Sequence, residues 1–368
     1  MSARALEFII PGDLHSASGG YVYDRTMISG LRQLGWQVGV HRLDASFPSP
    51  TADALAQAAS VFAALPDQAC VLIDGLALGA MPQLIAAHSR RLAMVALIHM
   101  PLGSEFGIEP AVAECRRQHE REALQLVCHV IVTSRITERT FASDGVDESR
   151  LSVVEPGVWR APIARGLHER SAPQDGAGIV ELLCVATVQE GKGHELLIDA
   201  LAPLAHLPWH LTCIGSLTRS PATVQRLEKR LQRFGLVERV ALLGELPHAA
   251  LSERYLAADL FVLPTLRESY GMAVAESLAH GLPVIGTRTG AIPELVGATA
   301  GVLVDPGDRD ALHVALERTL TDSALRTSLR RAALEARVRL PLWSQACERM
   351  ARILERVCEH AARGRDAH

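Results

Sequence analysis

Leu263 to Glu294 reads LPTLRESYGMAVAESLAHGLPVIGTRTGAIPE. It opens at the end of an apolar run, Asp259 to Leu263, and contains a second, Pro283 to Gly286. Both runs are short and bounded by turn residues, which predicts buried strands. Between them Met272 to His280 consists of helix formers and small residues, with Gly281 where a left-handed helix stop is expected. Two carboxylates, Glu268 and Glu276, stand eight positions apart. Eight helical steps of about 100° leave two side chains roughly 80° apart, so one continuous helix would not converge them. The reading that makes sense of both puts Glu268 in the loop before the helix and Glu276 in its early turns. Gly271 then lets backbone approach a ligand, and the helix N-terminus suits a phosphate. Strand, loop and helix N-terminus together make a nucleotide-type site at the C-terminal edge of a parallel sheet.

The pattern Glu-(seven residues)-Glu, with Ser269-Tyr270-Gly271-Met272 after the first Glu and Gly281-Leu282-Pro283-Val284-Ile285-Gly286 after the second, resembles the signature of family 4 retaining glycosyltransferases of GT-B fold. The continuation Gly290-Ala291-Ile292-Pro293-Glu294 carries the same likeness. The resemblance covers nearly the whole chain and is sharpest from Phe261 to Glu294.

Composition agrees with a two-domain folded protein. At 368 residues the chain exceeds one ordinary core, and 48% apolar with 21% charged residues is a globular balance. Aromatics at 4% argue against an aromatic-lined nucleic-acid or carbohydrate-binding module. A net charge of −4 gives no general affinity for polyanions, so nucleic acid is not an expected partner. No stretch approaches 18 uninterrupted apolar residues, so no membrane span is predicted. Strand-like sequence by Leu6 leaves no room for a signal peptide, and a cytoplasmic protein is expected. The seven cysteines, Cys70, Cys115, Cys128, Cys184, Cys213, Cys347 and Cys358, never occur as Cys-x-x-Cys. They read as reduced residues rather than ligands.

Upstream, apolar runs alternate with helical patterns. Leu6 to Ile10 predicts a strand, Pro11 to Gly20 a glycine-containing loop, and Tyr21 to Leu34 a helix. Strands follow at Val38 to Arg42, Cys70 to Ile73, Leu92 to Ile98 and His129 to Ser134. His99 directly ends the third of these, facing the crevice where ligands bind. Pro110 to Val127, with Arg116, Arg117, Glu120, Arg121 and Glu122, predicts an amphipathic helix with a solvated charged face. Thr133-Ser134-Arg135 offers a cap for the next helix. Trp159 to Gly178, rich in Pro and Gly with no period, predicts an exposed linker.

The second half opens with the strand Val180 to Val188, then Gln189-Glu190-Gly191-Lys192-Gly193-His194 before a helix, which places amides and a cation near a phosphate. His210 to Ile214 leads to Gly215-Ser216. Gln225 to Phe234 is a basic amphipathic helix, read as a solvated surface in preference to a lipid-binding one. Asp308 and Asp310 resemble a metal-binding triplet but follow a Pro-Gly turn. They read as an N-cap and a first-turn acid, and no metal is expected.

About twelve strand-like runs in two halves predict two doubly wound, Rossmann-like α/β domains facing across a cleft, the GT-B arrangement. The expected boundaries are 1–165 for an acceptor-binding domain, 178–340 for a nucleotide-sugar-binding domain and 159–178 for the linker. A terminal helix, 342–368, is expected to return to the first domain, as in the family.

The resemblance implies sugar transfer from a nucleoside-diphosphate-sugar, a UDP-sugar being the commonest family choice, with retention and without metal or other cofactor. It implies that Glu276 accepts bonds from the ribose and that Glu268 holds the donor sugar. Lys192, with amides near Gly193, Gly271 and Met272, would stabilise the diphosphate. Ser216 and Leu246 would approach the nucleotide. Gly19 and Gly20 would pass beside donor and acceptor, and His99 would position the sugar or the incoming hydroxyl. Tyr21, Tyr23 and Arg25 lie where an acceptor is read, and a small soluble acceptor is preferred over a saccharide or lipid-linked one at a membrane surface. Thr187 departs from the family, which has arginine there. A charge-assisted bond is worth roughly 1.5–3 kcal/mol, so its loss would weaken donor binding tenfold or more unless Lys192, Arg267 or Arg288 compensates. Two alternatives share the architecture: a nucleotide-sugar 2-epimerase, and a catalytically inactive nucleotide-sugar-binding partner.

Overall fold

The computed structural model describes residues 4–165 and 178–363, with side chains through Glu359. Two compact units result, Met1–Gly157 with Pro341–His368, and Val158–Leu340. The first holds six strands, β1 (Ala5–Pro11), β2 (Gln37–Leu43), β3 (Cys70–Asp74), β4 (Ala93–Ile98), β5 (His129–Val132) and β6 (Leu151–Val153). The second holds β7 (Val180–Val185), β8 (Trp209–Ile214), β9 (Val240–Leu242), β10 (Leu260–Leu263), β11 (Val284–Thr287) and β12 (Gly301–Val304).

The first sheet runs β2-β1-β3-β4-β5-β6 and the second β12-β11-β10-β7-β8-β9. Their pairs are parallel. Helices cover both faces of such sheets, so central strands must be apolar throughout. CVLID of β3, AMVALI of β4 and LFVL of β10 are buried at every position. Strand order reverses between β1 and β3 in one sheet, and between β7 and β10 in the other. Those reversals open a crevice at the strands' C-terminal ends, where loops diverge to opposite faces.

Local chemistry sets the helix limits. Ser134 accepts from Thr137 N at 3.3 Å as the expected cap, and Asp308 accepts from Ala311 N at 2.8 Å. Asp310 lies in the first turn, as expected, and pairs with Arg309. The helix Met272–Ala279 is closed by bonds from Gly281 N to Leu278 O and from Leu282 N to Ser277 O, both 2.9 Å.

Several expectations are corrected. The first helix begins at Gly19, two residues before the predicted start, so the glycine pair forms its first turn. Val158 to Arg165 groups with the second unit, so that unit begins at 158 and not after 165, although Trp159, Arg160, Pro162, Ile163 and Arg165 are exposed as the linker reading expects. Ala164 is buried, its N–H donates to His280 O at 2.8 Å, and Arg165 N donates to Leu256 O at 3.1 Å. Pro and Gly composition suggested a linker, but main-chain hydrogen bonds decide placement. The remainder of the predicted linker, 166–177, lies outside the described residues.

Cys70 and Cys358, expected to be reduced, are joined as a disulfide with Cα atoms 5.9 Å apart. A separation of 288 positions hides that proximity. Cys184, Cys213 and Cys347 are buried free thiols. On the basic helix Pro221–Arg233, Arg226 contacts Glu190 and Glu195, and Arg230 contacts Glu195 and Asp199. Much of its positive charge is thereby answered within the unit, which supports the solvated-surface reading. Among the described residues no helix is long and apolar enough to cross a membrane.

Glu120 departs most from its predicted solvated face. It is buried, and its carboxyl oxygens accept from Leu102 N at 3.3 and 3.2 Å. Burial pushes its pKa up to about 8, against the opposing pull of that hydrogen bond. A raised carboxyl pKa makes the folded state the better proton binder, so its contribution is full below the unfolded value near 4.5 and lost as pH rises through about 8. Glu120→Gln is therefore expected to flatten the fall in melting temperature between pH 5 and 8. A slope matching wild type would refute this.

Candidate functional site

The second unit assembles its polar residues at the reversal between β7 and β10. The turn after β7 ends in Lys192, and Gly193 follows at φ +73°, heading the helix His194–Leu201. That left-handed conformation is costly for a residue with a side chain, and a Cβ there would lie 2.0 Å from Pro264 O. Gly193 therefore lets this turn lie against the one after β10. The two turns are stitched by Leu266 N donating to Gly191 O at 2.8 Å and Thr265 Oγ1 donating to the same oxygen at 3.0 Å.

Across this seam Lys192 Nζ donates to Glu268 Oε2 at 2.8 Å. Both side chains keep part of their surface in solvent, 24% and 18%, so an anion or hydroxyl has access to the pair. Gly271 (φ +95°) caps the helix Met272–Ala279, and Met272 is its first residue. The amides of that first turn lack intrahelical partners and suit an anion. Glu276 lies in the second turn, where Tyr255 Oη donates to its Oε2 at 3.0 Å. Burial raises the Glu276 pKa to about 7, and the Tyr255 hydrogen bond opposes the rise. Tyr255 is itself buried and stacks on His280 with centroids 4.9 Å apart. Sequence reading missed Tyr255, since nothing in its own helix marks it as a partner of Glu276.

The remaining predicted positions are distributed as follows. Ser216 is buried after β8, with its Oγ 3.2 Å from Thr218 Oγ1 and its main-chain oxygen accepting from Val188 N at 3.0 Å. Leu246 is half-buried in the turn before the helix His248–Ala257. Thr187 is half-buried between β7 and the Lys192 turn. Of the two arginines considered as substitutes for the family residue, Arg288 pairs with Asp305 at 3.0 Å and Arg267 is exposed in the turn after β10.

In the first unit His99 follows β4. Its Nε2 lies 2.9 Å from Asp24 Oδ1 and 3.5 Å from Asp74 Oδ2. The Tyr23 ring meets the imidazole edge-on at 5.2 Å, and a Cβ on Gly20 would stand 3.4 Å from His99 Cδ2. Gly19 is exposed beside it at the helix start. Burial lowers the His99 pKa, but the charge and hydrogen bond of Asp24 and the charge of Asp74 outweigh it, for a net rise to about 9. Asp74 is pushed up to about 7 by its own burial and by Asp24, against the pull of His99.

The acceptor-side expectations fare differently. Tyr23 has no exposed surface and donates to Val154 O at 3.0 Å, so it is a packing residue and not an acceptor contact. Tyr21 Oη donates to Pro11 O at 2.7 Å. Arg25 binds Leu14 O and, at 2.7 Å, Ser16 O, bracing the loop after β1 from within. Asp24 and Asp74 went unnoticed in the sequence, although a carboxylate at the C-terminal end of β3 stands where the reversal places ligand contacts.

Residues 177–336 match the family model for glycosyl transferases group 1. That match lies in the second unit and covers less than half of the chain. It is 31% identical over 217 residues to a D-inositol 3-phosphate glycosyltransferase of Xylanimonas cellulosilytica, covering 56% of this chain and 51% of the relative. A mannosylfructose-phosphate synthase of Agrobacterium fabrum is 24% identical over 251 residues, or 65% of this chain and 55% of that one. The chain thus spans about half the length of these curated relatives. In fold it is similar to a sucrose-phosphate synthase from Thermosynechococcus elongatus, with TM-score 0.79, 22% identity and coverage of 96% and 99%. It is also similar to HepE of Anabaena solved with UDP and glucose, with TM-score 0.72, 18% identity and coverage of 95% and 99%. The two six-stranded parallel sheets are those of the GT-B glycosyltransferases.

Proposed function

We propose that this chain is a group 1 glycosyltransferase that transfers a sugar from a nucleoside-diphosphate-sugar to a hydroxyl acceptor, with retention at the anomeric carbon and without a metal ion. The observation that carries the reading is the Lys192–Glu268 pair, which bridges the strand-order reversal of the domain that matches the family. Glu276 takes the ribose hydroxyls, and Glu268 holds hydroxyls of the donor sugar. Lys192 and the amides of Gly271 and Met272 take the diphosphate as negative charge grows on it. Such preorganised donors form the largest stabilising contribution available to this chemistry. The departing phosphate accepts the acceptor's proton on the same face, so no residue serves as covalent nucleophile.

UDP is the proposed leaving group, as the ligand named for HepE supports. The names of the relatives support a small, phosphorylated polyol or sugar as the first acceptor to try. Calorimetric titration with UDP, GDP and ADP, followed by nucleotide release on adding acceptor, tests the proposal. Binding of one nucleotide at micromolar concentration, with release that depends on acceptor, supports transfer, and product NMR gives the anomeric configuration. Thr187 in place of the family arginine favours a second reading, an inactive nucleotide-sugar-binding partner. Binding without release would select it.

A further inference from the structure

His99, Asp24 and Asp74 come from three elements: the chain after β4, the helix Gly19–Gln33 and the end of β3. The carboxylates are almost sealed, with side chains 1% and 3% exposed, while the imidazole keeps 22%. One face of the cluster is thus closed and the ring is the part that reaches solvent. Asp74 is held by its other oxygen, which accepts from Leu76 N at 2.8 Å. The His99 main chain is held by Thr133 Oγ1, which donates to its carbonyl at 3.2 Å. Asp24 Oδ2 is buried without a hydrogen-bond partner.

Two buried carboxylates converging on one nitrogen repel each other unless a positive charge lies between them. A neutral imidazole supplies one N–H and no charge, so the second acid would have to be protonated, which Asp74 with its pKa raised to about 7 achieves only at neutral pH and below. An imidazolium supplies both the donor and the charge. We propose that Asp24 and Asp74 are positioning residues that hold His99 as an imidazolium with Nε2 turned inward, so that the nitrogen left for a substrate is Nδ1–H and its partner is an oxygen acceptor.

The rise of the His99 pKa to about 9 agrees with this geometry. Asp24 and Asp74 are the charged groups packed on the ring among the described residues, and the Tyr23 phenol beside it is already committed to Val154 O. A ring that is protonated at neutral pH is a hydrogen-bond donor and cannot remove the acceptor's proton. Within the sugar-transfer reading, on which this role rests, His99 therefore orients a hydroxyl or phosphate oxygen, and the proton leaves by another route. Deprotonation at high pH removes the cation and splays the acids, so substrate positioning fails on the alkaline side.

The test is a histidine NMR titration of the full chain labelled with 15N, with the His99 signals assigned by their loss in His99→Gln. The expected result is a ring protonated on both nitrogens through pH 8, with a midpoint near 9. Asp24→Asn should lower that midpoint by at least one pH unit, and Asp74→Asn should lower it less. In a transfer assay, Asp24→Asn should bring the alkaline limb of kcat/KM down by the same interval. A wild-type midpoint at or below 7 would overturn the proposal, as would a midpoint indifferent to both substitutions. Displacement of the ring proton by equimolar Mn2+ or Zn2+ would also overturn it, by showing the cluster to be a cation site. If Asp24→Asn does not fold, the wild-type titration decides alone. NMR reports the ring whether or not sugar is transferred, so a cationic ring in an inactive protein would refute the transfer reading while sustaining the positioning role.

Discussion

Lys192→Ala is expected to lower kcat/KM for sugar transfer by about 10²–10³, the usual cost of removing one preorganised donor from a developing oxyanion. The substitution also strips Glu268 of the cation 2.8 Å away. Part of any loss could therefore come from a displaced carboxylate, and a double-mutant cycle with Glu268→Ala separates the effects. If Lys192 acts only through Glu268, the double variant will match the worse single one. If each residue holds its own part of the donor, the two losses will multiply. Rates of nucleotide release at saturating acceptor provide the readout. Turnover within a few-fold of wild type in both single variants would refute the role assignment.

Glu276→Ala is expected to abolish nucleoside-diphosphate binding measurable by calorimetry at micromolar concentration, because a carboxylate accepting two ribose hydroxyls has no neighbour to replace it in the proposed pose. Its raised pKa adds a pH signature. With a midpoint near 7, the carboxylate is partly protonated at neutrality, and wild-type affinity should rise between pH 6 and 8. Tyr255 donates to the ionised form and holds the value down. Tyr255→Phe should therefore move the binding midpoint to higher pH while leaving affinity at pH 9 near wild type. A pH-independent affinity in wild type would remove Glu276 from contact with the nucleotide.

The positions of the strands were legible because parallel sheets demand apolar runs, and β3, β4 and β10 contain little else, whereas their order in each sheet was not. The approach of Lys192 and Glu268 at one strand-order reversal was legible for a related reason. The two lie in short turns whose glycines and charges sit at fixed distances from strand ends, so local spacing carries the geometry. The first-unit cluster was not. Asp24 is one polar residue in an amphipathic helix, and only the packing of that helix beside β3 and β4 buries it against His99. The same limit hid Glu120, whose helix turns one acid inward beneath Leu102. It also hid the bond between Cys70 and Cys358, set by where a distant helix ends. Tyr23 misled in the opposite direction, since a tyrosine next to a glycine pair reads as a ligand contact until packing encloses it.

The closing helix, Trp343–Arg363, belongs to the unit whose other strands and helices lie before Val158. Trp343 meets the Tyr23 ring edge-on at 5.8 Å, and Cys347 packs so tightly on Gly30 that a Cβ there would lie 2.2 Å from its sulfur. During translation the first unit must therefore wait for the segment that begins at Pro341. At about 5–20 residues per second, the nearly two hundred intervening residues take roughly 10–40 seconds to add. Throughout that interval the side of the Gly19–Gln33 helix that Trp343 and Cys347 will cover lacks those partners, while the second unit can already have folded. The nascent chain would thus complete its later-coded unit before the earlier one, and the unit begun first would be the last to close.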